Sequence, residues 1–276
     1  MNMVVFNIAA LVALIPMALL GFLCKPGADT DVRDLGFWTV VLVGIAGTYA
    51  WVWSIFGLGW QTGLAPTLWV TIAGALSFFA MISMASATCA RLLPLFGSYL
   101  ICLGVLATIW GLTGHELSRG LSPATPAVPA AWLNLHIGIS VATYALVTLA
   151  ATAAFAVYMQ ERALKARKPT FLTAVLPSAA DGERLQRRLL WISAMVLGLG
   201  LVTGMVTEYM ENGVVLVFNH KILFSVLAFA VIVGLLLVSR IMGLAGQRAA
   251  RYLLLAYLFL TLGYPGVKLV SDIILG

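Results

Sequence analysis

Apolar residues run along the chain in eight long blocks, and the stretches between them hold nearly all of the charge. The blocks fall at about 3–23, 37–57, 67–88, 92–112, 132–159, 189–207, 220–240 and 252–272. Each approaches the ~20 apolar residues that a helix needs to cross the hydrocarbon core of a bilayer. The pattern predicts an all-α, polytopic membrane protein with eight transmembrane helices in a single membrane domain, 1–276. The first block, Met3 to Leu23, is read as a spanning helix and not as a cleaved signal. No positive residue precedes it and no A-x-A site follows it.

The connections carry the breakers. "KPGADTDVRD" follows the first block and "LGWQTGLAP" the second. Arg91 marks a tight turn between the third and the fourth. "LTGHELSRGLSPATPAVPA" follows the fourth, and its prolines rule out a regular helix there. The longest connection, 161–188, reads "ERALKARKPTFLTAVLPSAADGERLQRR" and is expected as a basic cytoplasmic loop.

Composition agrees with the pattern. Hydrophobic residues make up 62% of the chain and charged residues 9%, where a soluble domain carries roughly a quarter charged. The net charge of +6 is no nucleic-acid footprint, because the basic residues sit at the ends of apolar blocks. Of the 16 lysines and arginines, all but Arg119, Lys221 and Lys268 fall in the connections after blocks one, three, five and seven. Under the positive-inside rule those connections face the cytoplasm and both termini face outward, in a bacterial inner membrane. Cys24, Cys89 and Cys102 form no CxxC and no CxxCH. Neither a thiol–disulfide motif nor covalent haem attachment is therefore expected.

The three histidines then share the outward side. His115 lies in the loop after the fourth block, beside Glu116, where a solvated ring is expected. His136 and His220 open the fifth and seventh blocks. Imidazole is a common metal ligand and, when neutral, tolerates a partly apolar site. Two histidines on facing helices make an axial pair for haem iron. Gly138 removes bulk near His136, and Ser140 and Tyr144 follow it at i+4 and i+8. Arg119, Lys221 and Lys268 are the cations available to propionates on that side. Trp51, Trp53, Trp60, Trp69, Trp110 and Trp132 fall near the outer half, as stacking partners for a porphyrin or as an ordinary interfacial belt. Lys268 also has a plain reading, snorkelling outward beside Asp272 at i+4.

"LHIGISVATYALVTLAA", "RRLLWISAMVLGLGLVTGMV", "NHKILFSVLAFAVIVGLLL" and "LLLAYLFLTLGYPGVKLVSDIIL" resemble, in that order, the second half of cytochrome c assembly proteins of the CcsA type. "HK" and "YPGVK" are similar to the short, HemX/YpjD-like branch. The resemblance covers roughly 90–276. It implies a fold that binds haem at the outer face and presents it for attachment to apocytochrome c, with outward histidines as ligands. The long members' tryptophan-rich outer loop is absent; that stretch reads "EYMENGVVLVFNHK", and no histidine follows the last block. The resemblance therefore implies haem binding more directly than haem presentation.

The resulting expectation is a non-enzymatic membrane protein of cytochrome c or haem-protein assembly. Non-covalent haem b would be held between His136 and His220, in the space between the fifth and seventh blocks, with Tyr144, Lys221, Lys268 and Arg119 around it. Its partners would be the lipid bilayer, apocytochrome c and other assembly proteins, with no nucleic acid. Two rivals stand beside it. One is a membrane regulator of haem biosynthesis, acting through 161–188. The other is a copper or small-molecule transporter using His136, His220, Met205 and Met210, whose thioethers suit Cu(I).

Overall fold

The computed structural model describes residues 2–23, 32–57, 63–112, 128–213, 220–243 and 246–263. Ten helices form these segments: α1 Asn2–Leu23, α2 Leu35–Phe56, α3 Leu64–Ala85, α4 Ala87–Ala90, α5 Leu93–Leu112, α6 Ala130–Ala166, α7 Phe171–Val175, α8 Ala179–Asn212, α9 His220–Met242 and α10 Gly246–Thr261. No strand occurs among the described residues. In lipid no water can satisfy a backbone N–H or C=O, so apolar segments of this length must pair those groups within themselves. Six helices, α2, α3, α5, α6, α8 and α9, are long and apolar enough to cross a bilayer. Within α1 a shorter apolar stretch, Val4–Leu20, is described, and α10 has 16 residues.

The 161–188 connection is not an open loop. α6 continues past the apolar block to Ala166, and α8 begins at Ala179, ten residues before its block. Helix ends here follow caps and not the apolar boundary. Arg167 closes α6 in the left-handed region at φ 50°. Thr170 forms a reciprocal capping box with Thr173, and the Ser178 hydroxyl accepts from Asp181 N–H to start α8. The Gln160 side-chain amide donates to the carbonyls of Thr173 and Pro177 at 2.7 and 3.0 Å, tying α7 to the end of α6. The expected turn at Arg91 is present, with Arg91 capping the four-residue α4.

The connections expected to lie together do gather at one end. Arg33, after α1, donates to the carbonyl of Met84 at the end of α3 (3.1 Å). Lys165, near the end of α6, donates to Gln247 at the start of α10 and pairs with Glu161. This is called the basic end below.

Two helix groups meet where α3 packs on α6. In the first, α1 packs on α2 and α5, and α3 packs on both. Small residues set the approach, as expected where lipid tails offer no hydrophobic drive. Gly97 of α5 lies against the backbone of Met17 and Ala18, and a Cβ there would come to 3.0 Å of Ala18 N. Phe79 and Phe96 stack at 4.7 Å in this core. The second group is a ring: α6 packs on α8 and α10, and α9 packs on the same two. The diagonal pairs, α6 with α9 and α8 with α10, have little direct contact. Burial along α6 is uneven. Thr143–Val157 is almost wholly buried, whereas no residue of 131–142 is. The ring is therefore tight toward the basic end and open toward the end where α6 begins.

Candidate functional site

His136 sits in the open part of that ring, six residues after the start of α6, with its ring half-buried. Its neighbour is α8. Nδ1 lies 3.0 Å from Thr203 Oγ1, and a Cβ at Gly204 would stand 3.2 Å from Cε1 and 3.9 Å from Nε2. Gly204 thus lets the imidazole lie close against α8 without a side chain covering Nε2.

The bonding favours one tautomer. Thr203 Oγ1 has one hydrogen, and it points to its own helix, shared between the carbonyls of Leu199 and Gly200 at 3.0 and 3.1 Å. With its hydrogen on those carbonyls the hydroxyl would accept from His136, which would put the proton on Nδ1 and leave the Nε2 lone pair free. Among the described residues nothing hydrogen-bonds Nε2. A hydrogen bond on one ring nitrogen that orients the other is the usual support of a metal-ligating histidine.

The same device recurs one turn outward. Thr207 donates to the carbonyl of Thr203 at 2.9 Å and accepts from Trp132 Nε1 at 3.1 Å. Trp132 and His136 are four apart on α6, and Thr207 and Thr203 four apart on α8, so two rungs join the antiparallel helices. Sequence reasoning missed Thr203, Gly204 and Thr207. Their signal is the small-residue stripe Gly200, Thr203, Gly204, Thr207 at i, i+3, i+4, i+7.

The remaining expected site residues scatter. Ser140 donates to the His136 carbonyl at 2.8 Å and so turns back on its own helix. Tyr144 does not continue the His136 face. Two helical turns rotate it toward α10, where its hydroxyl donates to the Leu260 carbonyl at 2.8 Å. That carbonyl lies where α10 widens into a π turn at 262–263 and its i→i−4 ladder loosens. Gly138 has nothing within 4 Å of a built Cβ and is exposed, on the far side of α6 from α8. Trp51 and Trp69 are buried on α2 and α3, Trp53 is exposed, and Trp132 is bonded beside His136. Met205 is two residues, about 200°, round α8 from Thr203 and is not brought to His136.

His220 is the first residue of α9, and nothing is described of its side chain or that of Lys221. His115, Arg119, Trp60, Lys268 and Asp272 lie outside the described residues. α9 packs against α8 and α10. A Cβ built on Gly198 of α8 would stand 3.3 Å from the Phe229 ring of α9. The two histidines open diagonal helices, α6 and α9, at one end of the ring.

Residues 39–275 match the family described as Cytochrome C assembly protein. The chain belongs to this family. A cytochrome c assembly protein thus accounts for the all-helical fold and for a membrane setting. The chain is also 43% identical over 273 residues to a protein of Azospirillum brasilense described as an uncharacterized 28.8 kDa protein in the nifR3-like 5' region. That match covers 99% of this chain and 98% of the other. Membership places this cytochrome c assembly protein in cytochrome c biogenesis and haem handling. No group of three or more His, Cys, Asp or Glu that could hold a metal ion occurs among its described residues. Burial pushes the Cys89 thiol up to about 12, so Cys89 is a protonated, unreactive thiol at neutral pH.

Proposed function

We propose that this protein holds non-covalent haem b at the open end of the α6–α8–α9–α10 ring and hands it on in cytochrome c or haem-protein assembly, without converting it. His136 Nε2 is the ligand on one side and His220 on the other, at opposite corners of the ring. When bound, haem would supply an iron that takes imidazole nitrogens, and His136 and His220 would be the residues to hold it. The observation that carries the reading is the packing of His136 on α8: Nδ1 lies 3.0 Å from Thr203 Oγ1, and Gly204 leaves Nε2 open. A histidine serving only to fill space would need neither.

Eight spans follow if α1 and α10 cross as well. The basic end then faces the cytoplasm, the histidine end faces outward, and both termini lie outside, in a bacterial inner membrane. Apocytochrome c or another assembly protein would meet the histidine end.

The test is haem content per folded protein, read from the Soret band after purification, in Thr203→Val and Thr203→Ser. Valine keeps the shape of threonine and removes the acceptor. Haem retention is expected to fall roughly 10- to 100-fold, the usual effect of losing such an orienting bond. Serine keeps the acceptor and should keep the haem. Equal haem in the wild type and Thr203→Val would remove the argument from the Thr203 contact.

A further inference from the structure

At the basic end, α6 outruns the bilayer. Its 37 residues make a rod of about 55 Å, against the ~40–45 Å of a whole bilayer with its headgroups. The polar Asn134 and His136 set the other end of α6 at the edge of the hydrocarbon. From there about 30 Å of hydrocarbon, roughly 20 residues of helix, reaches about Ala156. A mean tilt of ~20° adds one or two residues, and the headgroup layer takes roughly four or five more. The sequence turns polar at that depth, with Gln160, Glu161 and Arg162. The tip of α6 and its turn into α7 therefore stand in water.

That tip is exposed without a break: all eight residues from Leu164 to Phe171 are exposed. It is also held in shape. Arg167 N–H donates to the Leu164 carbonyl and Lys168 N–H to the Ala163 carbonyl, both at 3.1 Å. Thr170 and Thr173 cap each other, and Gln160 ties α7 back to α6. A large apolar side chain stands at each end of the stretch, with Leu164 67% and Phe171 47% exposed. On a spanning helix such exposure is met by lipid. Beyond the headgroups it is met by water, and apolar surface kept there on a fixed scaffold marks a contact site. Lys165 is already taken up by Glu161 and Gln247. Arg162, Arg167 and Lys168 are exposed and in no ion pair among the described residues. Membrane orientation accounts for cations at this end, but it asks for no leucine or phenylalanine among them.

We propose that this tip docks a soluble protein through a short acidic segment that carries apolar side chains. The unpaired cations call for an anionic partner. A second copy of this chain would bring the same cations face to face. Lipid headgroups would supply anions but, at this depth, no hydrocarbon for Leu164 and Phe171. The stretch is also small beside the ~20–30 residues a side of a standard interface between domains, so it fits a segment. Phe171 is the aromatic anchor, and Arg162, Arg167 and Lys168 steer the approach. The site is independent of the haem reading, because His136 lies at the far end of α6.

The experiment is photo-cross-linking of the full-length protein in intact cells through Phe171→p-benzoylphenylalanine, which puts an aromatic ring in place of an aromatic ring, with the joined peptides sequenced by mass spectrometry. One dominant adduct is expected, with a soluble protein, at a stretch of net negative charge that contains apolar residues. Arg167→Gln with Lys168→Gln should lower its yield per membrane-inserted protein roughly tenfold, the scale of two exposed ion pairs. Leu164→Ser should lower it as well, and His136→Ala should leave it unchanged. The same photoreactive residue in place of Trp53, exposed near the other end of α2, should not give this adduct. Absence of any adduct at 171 would overturn the proposal, as would an adduct at a segment that is not acidic or a yield that survives the paired glutamine changes. Adducts with phospholipid alone would assign the tip to the membrane surface, and adducts with a second copy would assign it to self-association; either overturns the proposal. All the substituted tip positions are exposed, so these variants leave the buried core untouched.

Discussion

Thr203 shows how little a residue needs to carry a site. Its hydroxyl lies 3.0 Å both from the Leu199 carbonyl of its own helix and from His136 Nδ1. Gly204 works beside it by having no side chain. Gly204→Leu should fill the space at Nε2, where even a Cβ would stand at 3.9 Å. Haem loss comparable to that of His136→Ala is expected, with the far-ultraviolet helical signal unchanged. Normal haem content in Gly204→Leu would mean that Nε2 is not the ligating atom. His136 was legible in the sequence because a histidine inside an apolar block stands out. Thr203 was not, because threonine is routine in spanning helices and bonds its own i−4 carbonyl whatever it faces. Which α8 residue meets His136 depends on the register of two antiparallel helices 67 positions apart in the chain, and no local pattern encodes that.

Among elements, α6 is the pivot, touching α3, α8 and α10. Its alanines and threonines from 143 to 157 bring its neighbours close toward the basic end, and the larger, less buried residues of 131–142 leave the histidine end open. Tyr144 is better understood as part of this scaffold. Its hydroxyl pins α10 to α6 through Leu260. Thr148, one turn on, donates to Tyr257, whose hydroxyl meets that of Tyr99 on α5. Tyr144→Phe removes one hydrogen bond and should cost about 1 kcal/mol, seen as a lower thermal midpoint with the positions of the visible haem bands unchanged. A shifted spectrum at unchanged stability would return Tyr144 to the cofactor. The apolar blocks located the long helices, because periodic burial and length are written into composition. The ends of α6 and α8 were hidden because caps such as Thr170 and Ser178 extend a helix through charged residues that hydropathy counts as loop.

For the whole molecule, the uneven distribution of lysine and arginine predicts orientation, and the structure adds that these residues gather at one end with α7. Trypsin should cut after Arg167 or Arg184 only from the cytoplasmic side. α7 and the α8 start are helical, so cleavage should favour Arg167, at the left-handed end of α6, over Arg184, inside a helix. Lys168 is a poor site because Pro169 follows it. Cleavage in intact cells by external protease would reverse the orientation and move the histidine end to the cytoplasm.

The account turns on His136 and His220 acting together from diagonal corners of one ring, and the absorption spectrum of the purified protein reads that most directly. The wild type should show a Soret band, with visible bands that split on reduction. His136→Ala and His220→Ala should each lose most of it, because the one remaining imidazole leaves the iron five-coordinate. The double variant should be little worse than either single one, since residues that act as a unit do not add. Unchanged haem in a folded His136→Ala, His220→Ala double variant would contradict the account.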